Sequence, residues 1–497
     1  MNTGAPWPTL SMEEAEARVL GIQAKLHRWA TQDRTRRFGD LYNLVGDPAF
    51  LLVGWRRVRG NKGARSAGVD GETAYYVESV RGEEPFLAEL RASLKDRSFR
   101  PLPVREPMIP KPGSSKQRRL GIATVRDRVV QASLKLVLEP IFEADFLPCS
   151  YGFRPKRRPH DAIAEVRLLA SRSYEWIVEG DIKSCFDEIS HSSLMDRVRQ
   201  RVADKRVLAL VKAFLKAGIL GEDGALRDNN AGTPQGSILS PLLSNVALSV
   251  LDEHIARGSG GPAASRVERA KRRRHGLPNY RLVRFADDWC LLVSGSKADA
   301  EALREEIAGV LLSTMGLRLS EEKTLITHID EGLDFLGWRI QRHRKRGTNR
   351  YYVYTYPSHK AVKAVTRKVK TLCRAMSTNL PLEALLSRLN PAMRGWCVYF
   401  RPGVSAAAFG NLSHRAWWQV MAWLRRKHRG ISWNELRRRY CGGKWWPITD
   451  RGGLFNPEKV RITRYRYRGA AIPSPWPVKN EITHEHVTGL VESPLRG

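Results

Sequence analysis

Leu282-Val283-Arg284-Phe285-Ala286-Asp287-Asp288-Trp289-Cys290-Leu291-Leu292-Val293 sets two adjacent acids between two apolar, strand-like runs. The pattern predicts a β-hairpin with a carboxylate tip. Two neighbouring carboxylates repel one another by about 4 kcal/mol at ~4 Å and an effective dielectric near 20, a cost that a bound divalent cation reverses. Taken alone, a solvated turn is the plain alternative. A second run, Trp176-Ile177-Val178-Glu179-Gly180-Asp181-Ile182, ends in another acid and leads through Phe186 to a helix beginning near His191. If the strands are sheet neighbours, Asp181 meets Asp287. Three oxygen-only side chains from two strands suit two Mg²⁺ ions about 3.5 to 4 Å apart, the arrangement used for in-line phosphoryl transfer.

Between the two runs lies Gly232-Thr233-Pro234-Gln235-Gly236, leading into an apolar helix over 242–251. Its glycines let backbone approach a base or sugar closely; an ordinary loop before a helix is the alternative. Further out, from about 48 to 340, short apolar runs alternate with helical stretches such as 192–217, the pattern of a mixed α/β unit. Residues 1–45 read as an extension with one amphipathic helix opening at a Ser11/Glu14 capping box. Residues 441–497 carry Gly, Pro and aromatic clusters, among them Tyr465-Arg466-Tyr467-Arg468, and read as loops and short strands.

The 497 residues hold 84 Lys+Arg against 51 Asp+Glu, a formal net charge of +33, with 42% hydrophobic residues. That composition describes a folded protein that neutralises nucleic acid phosphate, since a disordered basic tail would lack a core. Residues 341–440 alone hold 22 Lys+Arg against Glu383 and Glu435, a local charge of +20. In a helix over 362–376, Val362, Val365, Val369 and Leu372 make an apolar face, and Lys363, Arg367, Lys370 and Arg374 a basic stripe. A solvated face is the alternative, and the missing acids weigh against it. Trp396, Trp417, Trp418 and Trp423 are candidates for stacking on bases, with helix core as the alternative and the favoured reading for Trp417, while Arg425, Arg426 and Arg429 spread away from the apolar face.

Cys149, Cys185, Cys290, Cys373, Cys397 and Cys441 stand far apart with no C-x-x-C pair, which fits a reducing cytosol and no structural zinc. Glu13, Glu14 and Glu16 fall where a signal peptide needs an apolar core, and no run of 18 apolar residues occurs. The expectation is a soluble, cytoplasmic protein with no membrane contact.

The ordered motifs extend the reading. Asn61-Lys62-Gly63 with Gly68-Val69-Asp70-Gly71, Ile109-Pro110-Lys111, Arg118-Arg119-Leu120-Gly121-Ile122, Arg126 to Gln131 and Ser150 to Pro155 precede the Asp181 strand. Thr233 to Gly236, Phe285-Ala286-Asp287-Asp288, Leu319 to Thr324 and Phe335-Leu336-Gly337-Trp338 follow it. Over roughly residues 50 to 440 the set resembles reverse transcriptases, most closely those encoded by bacterial group II introns, which are also splicing maturases.

The resemblance implies an α+β right-hand polymerase: an N-terminal helical extension over 1–47, fingers and palm over 48–345, a helical thumb or maturase X domain over 346–440, and a small, DNA-contacting segment over 441–497. It implies RNA-templated extension of a DNA primer with two Mg²⁺ ions on Asp181, Asp287 and Asp288, and Lys323 protonating the leaving pyrophosphate. Lys111 and Arg118 would grip the dNTP triphosphate, and Phe186 would exclude a 2′-hydroxyl. Gln235 and Gly236 would lie along the nascent pair. Lys363, Arg367, Lys370, Arg374, Arg425 and Arg426 would hold group II intron RNA, and target DNA would complete the partners, with the protein on the bacterial nucleoid when DNA-bound. Phe285 replaces the family's more common Tyr, keeping the ring and losing the hydroxyl. Cys441 has no partner cysteines for the metal-bound endonuclease that many relatives carry, so a primer would come from a pre-existing strand, such as one at a replication fork. A mainly RNA-binding splicing cofactor and a domesticated enzyme of defence or repair stand as the alternatives.

Overall fold

Both acid-bearing runs are strands of one antiparallel sheet. Asn279–Phe285 and Asp288–Ser294 form the hairpin, Trp176–Gly180 pairs with its second strand, and Leu325–His328 closes the outer edge. This computed structural model describes residues 7–110 and 117–476. Lys111 and residues 477–497 lie outside the described residues.

Successive side chains along the sheet enter different cores. Val178, Leu282, Trp289, Leu291 and Val293 pack into one, and Ile177, Val283, Cys290 and Leu292 into the other. A sheet buried on both faces reads as continuous apolar runs, which is why no polar alternation marks these strands in the sequence.

The first core gathers the helices Met12–Gln32, Pro48–Gly60 and Val125–Glu143 on one side of the sheet. The Ser11/Glu14 box caps the first of these: the Ser11 N–H donates to Glu14 Oε2 at 2.9 Å and the Glu14 N–H to Ser11 Oγ at 3.2 Å. The helical stretch expected over 192–217 is two helices, His191–Arg199 and Lys205–Leu215. Asp204 separates them. Its carboxylate takes N–H groups from Arg206 at 2.9 Å and from Leu41 and Tyr42 at 3.0 and 2.9 Å, so it caps the second helix and fastens the N-terminal segment at once.

The second core joins the strands Leu333–Phe335, Trp338–Arg344 and Tyr351–Pro357 to the helices His359–Ala375, Leu382–Phe400, Ala406–Lys427 and Trp433–Cys441. Trp423 is wholly buried there, its indole N–H donating to the Met376 carbonyl at 3.0 Å. It is a core residue and does not stack on bases.

The chain then turns back over the sheet's supporting helix, Pro159–Ala170. The Tyr465 hydroxyl and the Arg468 guanidinium both donate to Asp161, at 2.8 and 2.9 Å, and the Tyr467 hydroxyl donates to Glu165 at 2.9 Å. Trp476 ends against His27, with ring centroids 4.7 Å apart. These aromatic and basic side chains tie the C-terminal segment back to the helix Pro159–Ala170, with Tyr467 still 39% exposed. All six cysteines are free, and no helix among the described residues is long and apolar enough to cross a membrane.

Candidate active site

The hairpin tip is held in an uncommon backbone shape. Ala286 has φ 60°, a left-handed conformation costly for a residue with a side chain. Its surroundings impose it. Gly152 lies so close beneath that a β-carbon there would stand 2.2 Å from the Ala286 nitrogen. Arg284, with no exposed surface, donates to the Ala286 carbonyl at 3.0 Å, to Asn245 Oδ1 at 2.9 Å and to Asp252 Oδ1 at 2.7 Å. Asn245 in turn donates to the Gly152 carbonyl at 2.8 Å. A buried ion pair from the hairpin strand to Asp252 on the helix Ser240–Arg257 therefore supports the tip that carries Asp287 and Asp288. Sequence reading missed this support. Its only trace was an arginine inside an apolar strand, with Asn245 and Asp252 two helical turns apart.

Gly180 pairs with Trp289 across the strands, which sets Asp181 opposite Asp288 at the next position. The Asp181 carbonyl accepts the Ser320 N–H, and its carboxylate accepts Lys323 Nζ, both at 2.8 Å. Burial raises the Asp287 carboxyl above its ordinary value; the Asp181 charge adds to this and Arg118 opposes it. Asp288 is pushed up to about 6 by burial and by the charges of Asp287 and Asp181, with Lys323 and Lys360 opposing. Asp181, Asp287, Asp288, Arg118 and Lys323 thus share one electrostatic field. Lys360, at the start of the helix His359–Ala375, belongs to it too and was not foreseen.

The three acids offer only oxygen ligands, and their mutual repulsion is the charge balance a divalent cation corrects. Among the described residues no three His, Cys, Asp or Glu side chains close into a ready ligand cage. Open sites of this kind leave positions for substrate oxygens and water. The residues fit a hard divalent metal ion.

The glycine-rich turn is wedged between two parts of this site. The Thr233 N–H donates to the Phe186 carbonyl at 2.6 Å, and the Gln235 carbonyl accepts the Gly121 N–H at 2.7 Å. Gly236, at φ 109°, passes so near Gly121 that a β-carbon would lie 2.8 Å from its carbonyl oxygen. Half-buried Phe186, Gln235 and the Arg118 strand are thereby tied to one another.

Lys363, Arg367 and Lys370 line an open groove of about 560 Å³ together with His414, Arg415 and Trp418, the last 47% exposed. The remaining expected RNA contacts lie apart. Arg374 is exposed on the same helix, Arg425 stacks over Trp433 at 5.5 Å, and Arg426 donates to the Cys373 carbonyl at 2.7 Å, closing that helix's C-terminus.

Residues 109–340 match the family described as reverse transcriptase (RNA-dependent DNA polymerase), and residues 362–441 match the group II intron, maturase-specific domain. The class is therefore that of RNA-directed DNA polymerases. Protein YkfC of Escherichia coli (strain K12) is 38% identical over 360 residues, covering 69% of this chain and 93% of YkfC. Group II intron-encoded protein LtrA of Lactococcus lactis subsp. cremoris is 33% identical over 373 residues, 66% of this chain and 61% of LtrA, so the match spans less than two thirds of that relative. Nuclear intron maturase 1, mitochondrial, of Arabidopsis thaliana is 26% identical over 46% of this chain and 42% of its own length. The chain belongs to the group II intron reverse transcriptase and maturase family, whose polymerases use divalent metal ions and which acts on intron RNA and other nucleic acid.

Proposed function

We propose that this protein extends a DNA primer on an RNA template at Asp181, Asp287 and Asp288, and assists group II intron splicing and mobility through its basic helical domain. The reading rests on one observation, the Gly180 to Trp289 register, whose next position sets Asp181 opposite Asp288. Two Mg²⁺ ions, when bound, supply Lewis-acid stabilisation of the charge on the transferred phosphoryl group. The protein's own groups do the rest. Arg118 and Lys111 bind the triphosphate as fork and point charge respectively. Lys323, which donates to Asp181 in this structure, would deliver a proton to the pyrophosphate oxygen. Phe186 lies under the sugar and excludes a 2′-hydroxyl, and Gln235 with Gly236 contacts the new pair.

Lys363, Arg367, Lys370 and Arg374, with Arg425 and Arg426, hold RNA by its phosphates, target DNA being the further partner. The bacterial cytoplasm, and the nucleoid when DNA is bound, is where such a protein works. Primer extension on an RNA template with Mg²⁺ tests the proposal: Asp287→Ala should abolish product, and equal product from wild type and variant overturns it.

A further inference from the structure

A second hollow lies away from the carboxylates. An open cavity of about 1010 Å³ lies at the other end of the sheet, between the strand Tyr351–Pro357, the end of the helix Pro159–Ala170 and the loop over 402–406. Glu175, on its wall, precedes the strand Trp176–Gly180 and Asp181 follows it, roughly 20 Å away at about 3.3 Å per residue. The cavity's lining and the reacting atoms are thus at opposite ends of that strand.

Its charge is lopsided. Glu175 is matched by Arg342 and by His328 at 3.4 Å. Arg167, Lys345 and Arg464 are exposed around the rim and make no ion pair or side-chain hydrogen bond among the described residues. Three uncompensated cations from three separate parts of the chain converge on one hollow. Between them stand aromatic rings: Tyr351 is 61% and Tyr352 43% exposed, and Tyr354 follows 6.5 Å from Tyr352 on the same face.

The strand is also the free edge of its sheet. The Thr355 carbonyl points outward to take the Val404 N–H at 2.7 Å, so the backbone groups of Val353, two residues before it, point outward too, into the cavity. Cations for phosphates, rings for bases and free backbone groups for base edges together recognise single-stranded nucleic acid. The hollow is open to solvent, so a strand can enter and leave it.

From this juxtaposition we infer that the cavity between the Tyr351–Pro357 edge strand and Arg167 and Arg464 is a second, non-catalytic site for single-stranded RNA. It rests on the proposed RNA-binding function and gives that function a surface lined by residues other than those of the polymerase centre and the Lys363 groove. An unpaired segment of the intron could be held there while primer and template occupy the cleft.

The test uses the full chain saturated with an RNA–DNA primer–template duplex, titrated with a fluorescein-labelled 12-nucleotide oligouridine and followed by anisotropy. Wild type should still bind the oligouridine. Arg167→Glu combined with Arg464→Glu, and separately Tyr352→Ala, should weaken that binding by about tenfold or more. Tyr352→Phe, which keeps the ring, should retain it, separating stacking from misfolding. Primer extension should be unchanged in all three. Loss of oligouridine binding on saturating wild type with duplex overturns the second site, as does an affinity that none of the variants alters. Oligoglutamate that binds as tightly and ignores Tyr352→Ala overturns it in favour of an acidic peptide on the sheet edge. A wild-type protein that binds oligouridine in this manner but extends no primer leaves this site standing and rejects the polymerase reading alone.

Discussion

Trp289 lies directly against Gly180, so close that a β-carbon on residue 180 would stand 2.0 Å from the indole Cζ2. The two residues are cross-strand partners, and the rung they form is the last before the acids. Gly180→Ala forces a ring that is 1% exposed to move within a packed core, and overpacking of this kind costs about 1–3 kcal/mol. Because displacement at that rung spreads Asp181 from Asp288, the rate of primer extension should fall more steeply than the urea midpoint. Parallel measurement of both checks this.

Breaking the Arg284–Asp252 pair from one side leaves a buried charge without a partner. Arg284→Met should destabilise by about 3–5 kcal/mol. Arg284→Met with Asp252→Leu should recover most of that in urea denaturation, because two apolar side chains replace two charges. Extension should stay low in the double variant, since the Ala286 carbonyl still lacks its donor. Recovery of both together would show that the pair serves stability alone.

Phe186 is anchored by its carbonyl to Thr233, which leaves the ring as the variable part. Phe186→Val should leave dNTP incorporation within a few fold and raise incorporation of rNTPs. Single-nucleotide insertion with each substrate reads the ratio, and an unchanged ratio rejects the steric role.

Lys363, Arg367 and Lys370 share a groove with few compensating acids. Replacing all three with Gln should reduce the slope of log affinity against log salt for RNA by roughly 2, since each phosphate neutralised on single-stranded RNA contributes about 0.7 to it. Filter binding from low to moderate salt measures it. The same slope in the variant would make the stripe only a solvated face.

Asp127 predicts a pH dependence of stability. Burial pushes its carboxyl up to about 6, against hydrogen bonds from Thr124 and from the Leu102 N–H. The folded protein therefore keeps the proton to higher pH than the unfolded chain, whose carboxyl titrates near 3.9. Stability contributed at low pH is lost as pH rises from about 4 to 6, by about 3 kcal/mol, and stays lost above. Asp127→Asn should flatten that part of the profile in denaturation series at pH 4 and pH 7.

The sequence was most legible where chemistry and backbone pattern coincide. The hairpin around Asp287 and the strand ending at Asp181 stood out because acids interrupt long apolar runs, and the Ser11 helix because its cap is local. What escaped notice depends on partners far along the chain. Tyr465, Tyr467 and Arg468 looked like a free basic aromatic tail, yet their partners Asp161 and Glu165 lie about 300 residues earlier. Arg284 was hidden for the same reason, its charge being answered from a different element. Trp423 looked able to stack because helical spacing gives a face but not its depth. The break between the helices on either side of Asp204 was invisible because that carboxylate is recruited by Leu41 and Tyr42 from the N-terminal segment.

Because the carboxylate sheet sends alternate side chains into two cores, the molecule resists dissection along its functional lines. Cutting away everything after the sheet would leave Ile177, Val283, Cys290 and Leu292 facing water, and removing the part before it would strip Val178, Leu291 and Val293. The acids and the basic helices cannot be expressed as two self-sufficient pieces. A fragment designed to keep the chemistry and discard the RNA grip would need a new apolar surface laid over one whole face of the sheet.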